Sequence, residues 1–449
     1  MTLMKSVSGI RGIVGESLTP AIINSVGSAF AAYCNFSTVV IGRDTRPTGP
    51  AIEKGLESAL VLSGCHVINI GIVPTPTVQI MVEHLRAAGG IVISASHNPV
   101  EWNAFKLIGG TGTFLTAAEI EHFFALMDKP FTYRTWDGIG TVTHESGADT
   151  VHIRKILSVI DAEAIRKRRF RVALDSVNGA GSSITIKLLS ELGCDVVPVH
   201  CDMNGLFPRG AEPVAENLSI LSRMVVSEKA DVGFAQDPDA DRLAIVDEAG
   251  RPIGEENTIA LVAEHVLSKK AGRVVINLST TKAVDDIARR LGVPVARTKV
   301  GEINVVEEMR RHGARIGGEG NGGVISPEVH LGRDSLVGIG YVLEIMAERG
   351  MTMSALADGL PKYVMIKGKI SLAGGVDGSI LKRLKKEYAG QKMSSIDGLR
   401  IEFISHPEFQ GGWVHLRSSN TEPVFRIIAE GRDARQAEGI FRHFEKLLL

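Results

Sequence analysis

Residues 38–70 read TVVIGRDTRPTGPAIEKGLESALVLSGCHVINI. The run Thr38–Gly42 is apolar and β-branched, the pattern of a buried strand. A polar loop follows, Arg43-Asp44-Thr45-Arg46-Pro47. A helix is expected from about Pro50, since proline suits a first turn. Ile52, Leu56 and Ala59 share one face of it, and Gly64 is placed to end it. Cys65–Ile70 then returns as a second strand. The same plan recurs twice more. Phe170–Leu174 leads into a loop from Asp175 to Gly181, a helix ending at Leu192-Gly193 and a strand Cys194–Val197. Arg273–Ile276 leads into a helix with Val284, Ile287, Ala288 and Leu291 on one face, closed by Gly292 and followed by Val293–Ala296. Strands alternating with amphipathic helices imply βαβ units and mostly parallel sheets.

Each repeat offers a third strand that runs into a polar loop: SASHNP at 94–99, DPDADR at 237–242 and GEGNGG at 318–323. Ligands bind beyond the carboxyl ends of strands in such sheets, so three chemically loaded loops occupy equivalent places. The chain changes character from about Tyr363. Strands are expected at Ile366–Leu372, Leu399–Phe403, Trp413–Leu416 and Phe425–Glu430. In the last helix Ala437, Ile440, Phe441, Phe444 and Leu448 form one stripe, with Asp433 as N-cap and Gln436 at N3. The expected fold is three similar α/β domains with mixed or parallel sheets (1–148, 149–250, 251–362) and a smaller C-terminal α+β domain (363–449).

Composition bounds the function. The chain has 449 residues, 44% of them apolar and 22% charged, as in globular proteins. Fifty basic against 51 acidic residues leave a net charge of −1, which argues against nucleic acid or an anionic membrane as main partner. The longest apolar candidate, Ala21–Cys34, is broken by Asn24, Ser25, Gly27 and Ser28, so no membrane span is expected. The start, MTLMKSVSGIRG, lacks the apolar core of a signal peptide, and the four cysteines show no CxxC spacing. A reducing cytoplasm is the expected compartment. Glycine is in excess, 49 residues, as where loop backbone must approach a ligand closely.

Asp237, Asp239 and Asp241 alternate along an extended loop, so their carboxylates project to one side. Three hard oxygen ligands repel one another without a cation and suit Mg²⁺. A calcium EF-hand is disfavoured: its sixth position would be Arg242 where glycine is needed, and the flanks read as strands. Ser96 has no GxSxG elbow around it, which disfavours a hydrolase. As a phosphoserine it could ligate the cation of the Asp237 loop. A Ser96–His97 dyad is not expected, because neighbouring side chains on a strand point apart. Arg417, the hydroxyls and amide of Ser419, Asn420 and Thr421, and Arg426 make a chemically sensible phosphate cradle. Glu319 and Asn321 alternate acceptor and donor in a glycine-rich loop, which suits sugar hydroxyls. Arg166-Lys167-Arg168-Arg169 ends a helix and reads as a solvated face.

Taken together, SASHNP, DPDADR, GEGNGG and RSSNTEP (417–423) resemble the α-D-phosphohexomutases: phosphoglucomutase, phosphomannomutase and phosphoglucosamine mutase. GIRG at 9–12, GRDTRP at 42–47 and TKVG at 298–301 support the likeness, which spans essentially the whole chain. The resemblance implies four domains around a central cleft, each contributing one loop. It implies that Ser96 is the phosphoserine, with Mg²⁺ held by its phosphate and Asp237, Asp239 and Asp241. Arg11, His97, Lys106, Arg242 and Lys299 match positions around the transferring phosphoryl group or substrate. Glu319 matches the residue that grips sugar hydroxyls, and Arg417, Ser419, Asn420 and Thr421 match the clamp for the phosphate that stays. Three departures stand out. The usual DNG(I/F)K reads Trp102-Asn103-Ala104-Phe105-Lys106. In the sugar loop, often GExSGH, Asn321 stands for serine and Gly323 for histidine; His330, a few residues on, is the candidate substitute. SNTEP resembles phosphomannomutase/phosphoglucomutases, whereas GEGNGG resembles archaeal phosphoglucosamine mutases.

The expected activity is reversible transfer of phosphate between O1 and O6 of a glucosamine, glucose or mannose phosphate, through phosphoserine 96 and a hexose 1,6-bisphosphate. His97 and Lys106 are the candidates for moving the hydroxyl proton. The alternatives are a Mg²⁺-dependent sugar phosphatase, which has no need of the Arg417 clamp, and a non-catalytic sugar-phosphate-binding relative, which would have no need of Ser96. The sequence leaves the oligomeric state open.

Overall fold

The computed structural model describes residues 3–370, 378–418 and 424–448. Its first sheet contains β1 (Met4–Ser6), β2 (Gly9–Ile13), β3 (Val39–Arg43), β4 (Val67–Ile72), β5 (Gly89–Ile93), β6 (Trp102–Gly109) and β7 (Val142–His144), in the order β1-β2-β6-β5-β3-β4-β7. The second contains β8 (Arg171–Asp175), β9 (Asp195–Val199), β10 (Val232–Gln236) and β11 (Leu243–Asp247), ordered β11-β10-β8-β9. The third contains β12 (Val274–Asn277), β13 (Val295–Thr298), β14 (Ile316–Glu319) and β15 (Gly323–Ile325), ordered β15-β14-β12-β13.

One four-strand pattern is therefore used three times. In each sheet the first strand pairs in parallel with the second and the third, and the third pairs antiparallel with the strand after its polar loop. The loops 94–99, 237–242 and 320–322 are the turns or connections of those antiparallel pairs, so the repeat places them alike. The first strand ends alike as well. Asp44, Asp175 and Asn277 each accept, through a side-chain oxygen, the backbone N–H two residues on, of Arg46, Val177 and Ser279. Such Asx turns bend the chain sharply at the strand's carboxyl end. Gly64 and Gly292 close the helices Gly49–Ser63 and Ala283–Leu291 with φ of +105° and +67°, conformations that cost glycine little.

The fourth sheet is wholly antiparallel: β16 (Val364–Ile370), β17 (Lys392–Ser394), β18 (Leu399–Glu402), β19 (Trp413–Ser418) and β20 (Phe425–Gly431), ordered β16-β20-β19-β18-β17. Helix Ala434–Leu448 packs its expected stripe on it, and Asp433 caps by accepting Gln436 N–H at 2.8 Å. The Gln436 side chain accepts from Arg432 N rather than closing a capping box. Strand β16 ends at Ile370, and residues 371–377 lie outside the described part. The sequence reading missed β17 and helix Gly378–Glu387, both short and polar.

The apolar cores follow a different division from the sheets. The second and third sheets share one continuous core, from Ile153 through Phe234 and Ile276 to Leu360. The fourth sheet has a core of its own around Phe403, Leu416 and Phe444. Its seam with the third sheet is polar: Lys282 Nζ lies 3.0 Å from Glu402, Ser279 Oγ 2.9 Å from His415 Nδ1, and Val300 N–H donates to Asp397 at 2.9 Å. A polar seam beside a self-contained core is the construction of a unit that can move as a body.

Candidate active site

Asp44 and Arg46, both wholly buried, build the serine loop. The Arg46 guanidinium pairs with Asp44 at 3.0 Å and donates to the carbonyls of Ser96, Asn98 and Pro99 at 2.6–2.7 Å. Ser94 Oγ donates to Asp44, and Ser96 N–H to Ser94 Oγ. These contacts hold Ser96 at φ +49°, a conformation that non-glycine residues seldom adopt. Its Oγ thereby faces the second sheet and donates to Asp237 Oδ2 at 2.9 Å. The positive φ also undoes strand alternation. His97 Nδ1 lies 3.4 Å from Ser96 Oγ, so the two side chains share a side, contrary to expectation. Burial and the positive charges of Arg242 and Arg11 depress the His97 pKa, Arg242 being the largest cause.

Asp237, Asp239 and Asp241 are fully buried beneath Ser96, and one carboxylate oxygen of each lies within 4.8 Å of the others. Asp237 Oδ1 accepts the backbone N–H groups of Asp241 and Arg242, which curls the loop. Thr75, at the N-terminus of helix Thr75–His84, bonds both the carbonyl and the carboxylate of Asp239. Burial and its two acidic neighbours push the Asp237 carboxyl well above the usual range. Asp239 Oδ1 and Asp241 Oδ1 have no hydrogen-bond partner among the described residues. Buried, without a hydrogen-bond donor and set among crowded carboxylates, these oxygens fit a hard divalent cation.

Lys106 reaches the cluster from β6. It contacts Asp239 and lies 3.3 Å from Asp241; burial opposes its charge, but the two carboxylates outweigh burial and raise its pKa. Arg11 is tied to Asn98 at 2.7 Å, and Arg242 to Glu212 at 2.8 Å. On the third sheet, Glu319 accepts from Asn277 and Gly301 N–H at 2.7 and 2.9 Å. From the fourth, Arg417 lies 3.2 Å from Asp397, with its Nη2 buried and unpaired among the described residues. Ser96, Arg242, Glu319, Asn321, Arg417 and Arg426 all line one cavity, with Arg11, His97 and Lys106. Described residues from all four sheets' domains thus converge.

Two expected residues do not. Lys299 is exposed and absent from the cavity lining, because Val300 and Gly301 face it instead. His330 is buried beside Asp334, 3.5 Å away, and does not line the cavity. Ser419, Asn420 and Thr421 lie outside the described residues.

The descriptions of phosphoglucomutase/phosphomannomutase α/β/α domains I, II and III match residues 3–134, 150–250 and 255–363, and that of the C-terminal domain matches 379–447. The chain belongs to the phosphoglucomutase/phosphomannomutase family. Among curated relatives, a phosphoglucomutase/phosphomannomutase of Thermococcus kodakarensis is 40% identical, covering 98% of this chain and 97% of its own. A probable phosphoglucosamine mutase of Methanopyrus kandleri is 33% identical over 97% and 96%. Among solved structures, a phosphoglucomutase/phosphomannomutase family protein of Burkholderia thailandensis superposes with a TM-score of 0.86 at 28% identity, over 99% of this chain and 96% of that one. The chain is thus a phosphohexomutase, an isomerase of sugar phosphates.

Several residues of this phosphohexomutase site were not singled out from sequence. Arg333 lines the cavity and pairs with Asp241, Glu302 and Glu319 at 2.6, 3.1 and 2.7 Å. Lys367 of β16 crosses to Glu255 and Glu256 at 2.9 and 2.8 Å. Burial raises the carboxyls of Glu256 and Glu302 to about 7. Arg46 was visible only within the motif GRDTRP. For Arg333 the local sequence carries no such signal, since its neighbour Asp334 reads only as the N-cap of helix Ser335–Arg349.

Proposed function

We propose that this phosphohexomutase moves phosphate reversibly between O1 and O6 of a hexose, with Ser96 carrying the phosphoryl group in transit. The observation that carries the reading is convergence: Ser96, Glu319 and the Arg417/Arg426 pair line one cavity, and the three clustered carboxylates lie directly behind Ser96. Phosphoserine 96 gives its phosphoryl group to the free sugar hydroxyl: the Ser96 Oγ–P bond breaks as the sugar O–P bond forms, and the hydroxyl's proton passes to Ser96 Oγ. The resulting 1,6-bisphosphate turns over in the cavity, and its other phosphate returns to Ser96.

Asp237, Asp239, Asp241 and an oxygen on Ser96 would hold Mg²⁺, which when bound supplies positive charge to the oxygens of the transferring group. Arg11 and Arg242 add fixed positive charge around Ser96. His97 and Lys106 are the candidates for carrying the hydroxyl proton. Glu319 grips sugar hydroxyls, and Asn321 is placed to assist. Arg417 and Arg426 hold the phosphate that is not moving, on a unit whose polar seam allows the cavity to open for the turnover. Ser419, Asn420 and Thr421 are assigned to that grip from their sequence.

Glucose and mannose phosphates are the proposed substrates, supported by the 40% identity to a phosphoglucomutase/phosphomannomutase over nearly the whole chain. The free cysteines suit a reducing compartment, and the cytoplasm is the proposed one. The test is a side-by-side assay of glucose, mannose and glucosamine 1-phosphates with Mg²⁺ and a trace of hexose 1,6-bisphosphate. The expected product is the 6-phosphate of glucose or mannose. Release of inorganic phosphate without isomerisation would contradict the reading.

A further inference from the structure

Gly323 stands where related sugar loops often carry a histidine, and here a side chain would collide with Arg333. A Cβ on Gly323 would lie 2.2 Å from Arg333 Cδ and 2.8 Å from its Cγ. The Arg333 side chain runs through that space and ends on three carboxylates. Nη2 donates to Asp241 Oδ2 at 2.6 Å, Nη1 to Glu319 Oε2 at 2.7 Å and Nε to Glu302 Oε2 at 3.1 Å. These belong to the metal loop, the sugar loop and the start of helix Glu302–His312.

The base of Arg333 is rigid. The next residue, Asp334, donates its N–H to the carbonyl of Val324 on β15. Its buried carboxylate accepts Leu336 N–H at 2.8 Å and pairs with His152 at 2.8 Å. Ser335 donates to the Ala240 carbonyl, inside the metal loop, at 2.6 Å. A guanidinium presents its N–H groups in a fixed planar fork, so it sets the spacing of the carboxylates it joins; an ammonium does not. Glu319 Oε1 is fixed by Asn277 and Gly301, and Arg333 is the partner that fixes Oε2.

We propose that Arg333 is a positioning residue for sugar binding: it aims Glu319 into the cavity and ties that aim to the metal loop, and Gly323 leaves it room. The proposal rests on the mutase reading above. Glycine at 323 is then not a vacancy in the machinery but one half of a Gly323/Arg333 pair.

The experiment compares wild type, Arg333→Ala, Arg333→Lys, Gly323→Ala and the double variant G323A/R333A, each checked for folding by its melting curve. KM and kcat are measured for the sugar 1-phosphate turned over fastest, and its Kd by calorimetry on metal-free protein. Arg333→Ala is expected to raise KM and Kd about tenfold or more, with the loss falling mainly on KM. Arg333→Lys recovers part of it. Gly323→Ala shifts KM the same way, because its methyl group displaces the arginine, and adds nothing once Arg333 is gone. Unchanged KM and Kd in folded Arg333→Ala, or effects of the two sites that simply multiply, would overturn the proposal. A wild-type protein that fails to isomerise any hexose phosphate would instead remove the mutase reading.

Discussion

The hydroxyl of Ser96 donates to the carboxylate of Asp237 across 2.9 Å, joining two loops 141 residues apart in the chain. The contact sets the nucleophile on the edge of a buried acidic cluster, facing the cavity. Replacing Ser96 with alanine removes the acceptor of the phosphoryl group and little packing. Turnover is expected to fall by about a thousandfold or more, about 4 kcal/mol of barrier, even with added hexose 1,6-bisphosphate. Undiminished turnover would take Ser96 out of the mechanism.

Asp237→Asn keeps the acceptor for the Asp241 and Arg242 N–H groups and removes one of three crowded charges. The variant is expected to melt higher than wild type without metal, and to bind Mg²⁺ at least about tenfold more weakly. Calorimetric titration with Mg²⁺ and paired melting curves check both halves.

Arg46 carries no charge to the substrate but holds the serine loop by three carbonyls. Arg46→Met would leave Asp44 buried without its partner, a loss of about 3–5 kcal/mol by denaturant unfolding. A loss below about 1 kcal/mol would show that Ser94 alone supports Asp44.

The seam of the fourth sheet should respond to acid. Burial drops the His415 pKa to about 4, so its contribution is present above the ordinary value of 6.5 and is lost as pH falls from there toward 4. Glu402 is depressed to about 2: burial opposes its charge, but Lys282 and Arg400 outweigh it. Its contribution persists above 4.5 and is lost as pH falls toward 2. Both signs point the same way. Small-angle scattering is expected to show a larger radius of gyration at pH 4 than at pH 7, and His415→Gln should flatten the change between pH 6.5 and 4.

Much of this was legible because it is local. A β-branched run, a polar loop, an apolar helical stripe and a closing glycine occur together at 38–64, and the structure repeats the plan at 171–192 and 274–292. Strand ends moved by a residue or two, as β3 did to Val39–Arg43, because ladder pairing rather than composition sets them. The antiparallel partner β15 is only three residues, too short for a periodic signal. Contacts at long separation were hidden. Nothing around Arg333 announces that it meets Asp241, 92 positions earlier, and His330, three residues before it, was instead the candidate substitute for the sugar loop's missing histidine. Lys299 was placed by a motif of which Val300 and Gly301, not the lysine, line the cavity. The core shared by the second and third sheets comes from the helices 256–269 and 335–349 packing together, a pairing invisible to local periodicity.

The central claim is that the phosphoryl group rests on Ser96. The most direct measurement incubates dephosphorylated protein with hexose 1,6-bisphosphate and Mg²⁺, then maps the phosphate by peptide mass spectrometry. The account predicts one phosphoryl group, on the peptide carrying Ser96, discharged when a hexose monophosphate is added. A protein that isomerises hexose phosphates while carrying no phosphate there, or carrying it elsewhere, would contradict it.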